Sequence, residues 1–286
     1  MSKKYEELEF TDGFLFSKIM YERKDLCKEL LELILQKKIE RIEYVTYERV
    51  IEMRPDSRGV RLDVYTKDEE QNSYDIEMQV RDYSNLPRRS RYYHSMIDLD
   101  LLEKSEDFSQ LRDSYVIFIC KRSPGKEYTL PINTFLYQIQ ENPKQLMNDG
   151  SCTVFVNAEG DARNLSAEMQ EFLAFIRDGK TQGSKDGFAG RLADAVTKAR
   201  DNQKWRADYM TYEQEMKHQF FLGKEEGRAE GLEKGLQEGH AKGLEEAIKG
   251  IVEILRSLGI KDEEIKNQLM EKYALSKEQA ESYVGQ

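Results

Sequence analysis

Residues 59–80 read GVRLDVYTKDEEQNSYDIEMQV, two short apolar runs joined by a polar segment. In the second run apolar and polar side chains alternate, as expected for a β-strand with two different faces. The polar face of that strand carries Asp75, Glu77 and Gln79, and the strand before it carries Asp63. The pattern predicts a β-hairpin that gathers acidic side chains on one face.

Two interpretations of this polar face are open. Carboxylate and amide oxygens suit Mg²⁺, which usually binds one or two carboxylates together with water and substrate phosphate. Antiparallel sheets also often keep one face in water, and polar alternation is ordinary there. Asp75, near the start of its strand, could act as a further ligand or be a solvated acid. The rest of the chain is needed to choose between a metal site and a wet surface.

The elements around the hairpin predict one α/β layer domain. Helices are predicted at residues 26–38, 87–104 and 166–177, strands at residues 42–53, 60–66, 73–80, 115–120 and 153–156, and a turn at residues 55–59. The run at residues 115–120 is apolar throughout, which is typical of a strand covered on both faces. The order helix, three strands, helix, strand indicates a mixed sheet flanked by helices.

Composition and charge limit the kinds of partner that the protein can bind. No apolar run in the 286 residues approaches the roughly 20 residues that span a bilayer. The three cysteines have no metal-ligand spacing and are expected to be buried, so we expect a cytoplasmic protein with no membrane partner. The net charge of −10 argues against a general coat for polyanions. Basic residues nevertheless cluster after two of the strands, at Arg81, Arg88, Arg89, Arg91, Lys121, Arg122 and Lys126.

The arginines near residue 90 have two interpretations. Arg88, Arg89 and Arg91 could clamp a phosphate backbone, or they could form a charged helix face paired with acids further along the helix. Tyr93 could help to position that backbone or could belong to the core. A further acid for the polar face could come from the first helical region, at Glu22, Glu29 or Glu32.

Five segments occur in one order: residues 10–18, 60–65, 74–79, 89–93 and 115–120. Together they resemble the PD-(D/E)XK nuclease superfamily, and within it the Rpn family of recombination-promoting nucleases, also described as transposases. The resemblance implies the restriction-endonuclease-like αβββαβ core of that superfamily, with a helical C-terminal extension.

The resemblance also implies a function and a site. The chain would be a Mg²⁺-dependent DNA endonuclease of low sequence specificity, linked to recombination or mobile elements. Asp63, Glu77 and the backbone carbonyl of Met78 would hold Mg²⁺, and Gln79 would position the attacking water. Asp75 would bind a second ion or tune the first. DNA, the expected partner, would be bound by Arg88, Arg89, Arg91 and Tyr93.

The chain departs from the superfamily at two positions of these motifs. Gln79 stands where the superfamily usually has Lys, and Leu62 stands where it has Pro. An amide cannot supply the positive charge of a Lys. The alternative function is therefore a catalytically degenerate nuclease-fold protein that serves as a DNA- or protein-binding or oligomerisation module.

The end of the chain has a glycine at every fourth position: Gly223, Gly227, Gly231, Gly235, Gly239 and Gly243. Each glycine lowers helix propensity by about 1 kcal/mol relative to Ala, so a solvated helical spacer is one interpretation. The other is a close helix pair along the glycines, hence a homodimer through residues 223–286. The predicted organisation is a nuclease-like domain at 1–178, a helical linker at 179–222, a glycine-repeat spacer at 223–250 and a small helical tail at 251–286.

Overall fold

The strands predicted at residues 60–66 and 73–80 are neighbours in a six-stranded sheet. The computed structural model describes residues 3–52, 59–81, 85–181 and 183–285, so the turn predicted at residues 55–59 lies largely outside the described residues. The strands are β1 (Ile42–Ile51), β2 (Val60–Asp68), β3 (Ser73–Gln79), β4 (Ser114–Cys120), β5 (Ile132–Phe135), β6 (Gln138–Ile139), β7 (Asn142–Leu146) and β8 (Ser151–Asn157). The large sheet has the order β1-β2-β3-β4-β8-β5, and β6 pairs with β7 separately.

The direction of pairing changes at β3. The strands β1, β2 and β3 pair antiparallel, whereas β3, β4 and β8 pair parallel and β5 closes the edge antiparallel to β8. The apolar strand β4 is buried at almost every position, as expected for a central parallel strand. The predicted mixed sheet and its order of elements are confirmed.

Five helices belong to the part of the chain that forms this sheet: α1 (Gly13–Glu22), α2 (Lys24–Leu35), α3 (Leu86–Leu101), α4 (Ala167–Asp178) and α5 (Phe188–Arg200). The helices α1 and α2 pack against β1, and α3 packs against β4. Tyr93 of α3 shares an apolar cluster with Val116 and Phe118 of β4. The register places Asp75 beside Val116 and Glu77 beside Phe118. Helix α3 therefore covers the face of the sheet that carries the acids.

The first compact unit extends beyond residue 178, where the nuclease-like domain was predicted to end. Contacts divide the chain into Met1–Thr211 and Tyr212–Gln286. Helix α5 packs against α1, α2 and α4 through buried side chains such as Phe188 and Leu192. The next helix, α6 (Gln203–Ser257), begins in this unit, where the Tyr209 hydroxyl donates to the Lys3 carbonyl at 2.9 Å. The predicted linker thus contains α5, a core helix.

The second unit contains the remainder of α6 and two short helices, α7 (Asp262–Tyr273) and α8 (Lys277–Val284). Its small apolar core consists of Ile248, Val252, Ile265, Leu269, Ala280 and Val284. A capping box starts α8: Ser276 Oγ accepts from the Gln279 amide at 3.2 Å, and Gln279 Oε1 accepts from the Ser276 amide at 2.8 Å. No helix in the described part of the chain has both the length and the apolarity to cross a membrane.

The glycine repeat lies inside the continuous helix α6. A Cβ atom added at any of its six glycines would meet no described atom within 4 Å. Leu232 and Leu236, which lie between the glycines, are exposed. Packing within one chain therefore does not account for the small residues.

Candidate active site

The polar face of β3 is buried beneath α3. Asp75 is 0% exposed, Glu77 2% and Gln79 6%. The interpretation as a solvated face is therefore wrong, because water does not reach these side chains. A buried carboxylate is costly unless it is paired, protonated or bound to a cation, so the burial demands a compensating group.

The carboxylates replace backbone partners at the point where β2 and β3 separate. Backbone pairing between these strands runs from Lys67–Ser73 to Val64–Ile76. Beyond it the Asp63 amide donates to Glu77 Oε1 at 3.0 Å, and the Met78 amide donates to Asp63 Oδ2 at 3.1 Å. Each of these two carboxylates thus accepts a hydrogen bond from a backbone amide of the other strand, which holds Asp63 and Glu77 together.

Asp75 lies deepest of the three acids. Neither of its carboxyl oxygens has a hydrogen-bond partner among the described residues. Burial, followed by the Glu77 and Asp63 carboxyls, raises the pKa of Asp75 well above its ordinary value. Asp75 therefore keeps its proton to a higher pH than an exposed carboxyl does.

Arg89 enters the acidic cluster from the first turns of α3. Its guanidinium donates to Gln79 Oε1 at 2.9 Å, to Glu77 Oε2 at 3.1 Å and to the Tyr93 hydroxyl at 3.0 Å. The same group lies over the ring of Phe118, 5.2 Å from its centroid. Arg89 is therefore a member of the site and not only part of a charged helix face.

The charge of Arg89 does not balance the cluster. Burial and the Asp63 carboxyl raise the pKa of Glu77 to about 8, against the opposing effect of Arg89. Burial likewise raises the pKa of Asp63, although the Met78 amide and nearby arginines oppose it. The three neighbouring carboxyls favour one another's protonated forms despite Arg89 and Arg61, so the cluster retains protons near neutral pH.

The donor set suits a hard divalent cation. Such ions prefer carboxylate and amide oxygens, and the unpartnered oxygens of Asp75 are donors without another use. Within residues 3–52, 59–81, 85–181 and 183–285, no three acidic, imidazole or thiol side chains already converge in ligand geometry. Arg89 occupies one oxygen each of Glu77 and Gln79. Binding of a cation would require these side chains to turn from Arg89 toward the ion.

The other predicted nucleic-acid residues divide between surface and site. Arg88 and Arg91 are exposed near the start of α3. Tyr93 is mostly buried and contacts both the apolar cluster and Arg89, so it is a core residue that also touches the site. Of the second basic group, Lys121 pairs with Glu9 at 3.0 Å and Arg122 with Glu159 at 2.7 Å.

The extra acid near the site comes from β1. Glu29 pairs with Arg191, Glu32 accepts from the Ile39 amide at 2.8 Å, and Glu22 is exposed. Glu48, by contrast, stands between two β1 residues that pair with Val64 and Leu62, which places it opposite Asp63.

Glu48 also has an unusual backbone. Its φ is 51°, in the left-handed region that side chains other than Gly rarely adopt, and such strain is often found at functional sites. Its charge contributes to the raised pKa of Asp63. Sequence reasoning misses Glu48 because only the β1–β2 register identifies its neighbour.

Comparison with known proteins gives one match. A sequence model of the family described as PD-(D/E)XK nuclease family transposase matches residues 12–171, which are 160 of the 286 residues. The matched segment contains Asp63, Asp75, Glu77, Gln79 and Arg89. Searches of curated proteins and of solved structures return no significant match.

Proposed function

The chain belongs to the PD-(D/E)XK nuclease family transposases, and from this premise we propose that it is a Mg²⁺-dependent DNA endonuclease of low sequence specificity. Its place would be in recombination or mobile-element biology in the cytoplasm, where its buried free cysteines stay reduced. The observation that carries the proposal is the cluster of Asp63, Asp75 and Glu77, in which three carboxyl groups lie together and Arg89 is the guanidinium that contacts them. A divalent cation is the natural complement of such a cluster.

The residues of the cluster divide the work of phosphodiester hydrolysis. Asp63, Glu77 and the Met78 carbonyl would hold the cation, and Asp75 would hold a second ion or adjust the charge at the first. The chemistry supplied by a bound divalent cation is activation of water and polarisation of the phosphate. The Gln79 amide, which is both donor and acceptor, would orient the water for in-line attack.

Arg89 offers the positive charge that Gln79 lacks. Its guanidinium contacts the Gln79 and Glu77 side chains directly, so it stands next to the position where the superfamily usually has Lys. We infer that the Arg89 guanidinium would stabilise negative charge on the phosphate if Glu77 and Gln79 turned away from it to hold a divalent cation. Arg88 and Arg91, exposed on the same helix, would bind the neighbouring phosphates of DNA.

The direct test of activity is nicking of supercoiled plasmid. The purified protein should convert it to open circles in Mg²⁺, and EDTA should stop the reaction. A second function, a degenerate DNA- or protein-binding module, is favoured by Gln79 and by the contacts of Arg89 with Glu77. Calorimetry that finds no uptake of Mg²⁺ or Mn²⁺ by a protein that still binds DNA would select this second function.

The protein should be stabilised by divalent cations more strongly at higher pH. The pKa of Glu77, about 8 in the folded protein against 4.5 ordinarily, means that the folded state holds a proton that the unfolded state releases. Without metal, the free energy of unfolding should therefore fall as pH rises between these values. A cation favours the ionised carboxyl, so its stabilising effect should grow over the same range.

Thermal melting in EDTA and in Mn²⁺, at about pH 6 and about pH 8, measures this linkage. The shift in melting temperature caused by Mn²⁺ should be larger at the higher pH. In the Glu77→Gln variant the pH dependence of that shift should shrink. An equal shift at both pH values in the unmodified protein would contradict the assignment of Glu77.

We also propose that residues 223–286 mediate self-association. The support is the row of glycines on α6, whose space is unused within one chain, and the exposed Leu232 and Leu236 beside them. A chain ending at Leu222 keeps the whole first unit and removes the repeat. Light scattering should show a smaller oligomer for the shortened chain than for the full chain. The same oligomeric state for the shortened and the full chain would contradict self-association through residues 223–286.

A further inference from the structure

A cavity of about 250 Å³ opens beside α3. Its wall includes the aromatic rings of Tyr128, Phe135, Tyr137 and Phe155, together with Arg91 and His94. Three of the rings pack on one another, with the centroid of Phe155 5.3 Å from Tyr128 and 4.9 Å from Phe135. Tyr137 stands apart from them and is 58% exposed. An aromatic wall of packed rings, with the exposed ring of Tyr137 beside it, suits a flat ring ligand.

The register of the sheet fixes the position of this cavity relative to the acids. Glu77 of β3 lies beside Phe118 of β4, and Phe118 lies beside Phe155 of β8. The three side chains therefore form one row on the same face of the sheet. Since neighbouring strands are about 4.8 Å apart, Phe155 lies roughly 10 Å from Glu77. The cavity and the acidic cluster are thus about as far apart as nearby nucleotides of one strand.

The floor of the cavity is polar but uncharged. His94 Nδ1 lies 2.8 Å from Ser114 Oγ, and His94 Nε2 lies 3.1 Å from Thr153 Oγ1. Burial lowers the pKa of His94 to about 4, so the ring is neutral at physiological pH. The hydroxyls of Ser90, Ser151 and Thr153 also line the space. The Ser90 hydroxyl donates to the Pro87 carbonyl and the Ser151 hydroxyl to Asp149 Oδ2, so both offer acceptor lone pairs to a ligand. Every DNA base has an N–H group on its edge that such acceptors can bind.

The first turns of α3 carry cations toward both the cavity and the acids. The first turns of α3 place Arg89 against Glu77, whereas Arg91, two residues on, lines the cavity and is exposed. Arg88 is exposed on the same turn. A ligand that reaches from the cavity to the acids would meet these cations, which suits a phosphate backbone.

We propose that the cavity binds one unpaired base of the DNA strand whose phosphodiester lies at the acidic cluster. The base stacks on Tyr137, its edge meets the hydroxyls of the floor, and Arg91 binds the phosphate between base and cluster. This inference rests on the proposed nuclease function, and it makes single-stranded or locally unpaired DNA the preferred substrate. Stacking on aromatic side chains is tolerant of sequence, in keeping with low specificity.

Binding in EDTA tests the cavity without any cleavage. The full-length protein is titrated into a fluorescently labelled oligo-deoxythymidine, and the Tyr137→Ala variant is compared with it. The variant should bind about tenfold more weakly, the usual effect of removing one stacking ring. Tyr137→Phe keeps the ring and should bind like the unmodified protein. Phe108→Ala is the matched control, because Phe108 is 79% exposed in the same unit but does not line the cavity.

An oligonucleotide with abasic positions separates the base from the backbone. The unmodified protein should bind it more weakly than the intact strand, and Tyr137→Ala should bind it with no further loss. Equal binding of the intact strand by the unmodified protein and by Tyr137→Ala would overturn the proposal and leave the cavity to a protein partner. If binding is equal and the unmodified protein still nicks plasmid, the base-binding role of the cavity is overturned and the nuclease function stands. If binding depends on Tyr137 but the protein does not nick plasmid, the nuclease function is overturned and the base-binding role of the cavity stands.

Discussion

The Glu77→Gln variant should lose Mg²⁺-dependent DNA cleavage by at least about a hundredfold, because a neutral amide cannot replace a carboxylate ligand of a divalent cation. Its size is unchanged, and the Gln side-chain oxygen can still accept from the Asp63 amide, as Glu77 Oε1 does. The variant also removes one of three crowded buried carboxyls, so its folding should be kept or improved.

Initial rates of plasmid nicking and thermal melting in EDTA measure the two effects separately. The matched control is Glu168→Gln, the same chemical change at an exposed position of α4. It should leave the rate unchanged. A folded Glu77→Gln protein that nicks as fast as the control would contradict the assignment of Glu77 as a ligand.

The Arg89→Ala variant should slow cleavage by about ten- to a hundredfold, with the largest loss near neutral pH. Removing the guanidinium takes the positive charge of Arg89 away from Glu77 and its neighbouring acids, so the pKa of Glu77 should rise further. The cation must then displace more tightly held protons, and the pH profile of cleavage should move to higher pH. Arg89→Lys keeps the charge but loses the forked guanidinium that reaches both Gln79 and Glu77. Its cleavage rate should therefore lie between those of the unmodified protein and Arg89→Ala.

Arg88→Ala is the control for a role in DNA binding alone. Arg88 is exposed one residue away, and its loss should weaken DNA binding in a salt-dependent way without moving the pH profile. Indistinguishable behaviour of Arg88→Ala and Arg89→Ala would mean that Arg89 acts only as a phosphate clamp.

The sequence is sufficient for five of the six strands of the sheet, all but β5, and for the main acids. In β3 polar and apolar side chains alternate, because the strand has one polar face, whereas β4 is apolar throughout because neither of its faces is polar. Each pattern lies within a few consecutive residues, so both strands can be predicted from the local sequence. The order of elements then brings Asp63 and Glu77 to neighbouring strands. The hydrogen bonds from the Asp63 amide to Glu77 and from the Met78 amide to Asp63 show that the two strands bring these acids together.

The sequence does not reveal how deeply the site is buried or what compensates its charge. That depends on α3, which packs over the acid-bearing face and turns Arg89 inward rather than toward solvent. A contact between residues 77 and 89 is set by register and helix rotation, which local periodicity does not encode. Glu48 is missed for the same reason, since its relation to Asp63 exists only across the β1–β2 pair.

The peripheral elements differ from expectation for local reasons. The strands β6 and β7 are exposed at every position, so they lack the apolar alternation by which strands are recognised. In α6 the glycines disfavour helix, yet i,i+4 ion pairs such as Glu213–Lys217 and Glu245–Lys249 support it on either side of the repeat. Propensity alone therefore understates the continuity of this helix.

The central claim is that Asp63 and Glu77 hold the cation with which this protein cuts DNA. The most direct measurement compares plasmid nicking in Mg²⁺ by the unmodified protein and by Asp63→Ala. We expect open circles from the unmodified protein and a rate at least about a hundredfold lower from the variant. Equal nicking by the two proteins, or no nicking by either, would contradict the claim.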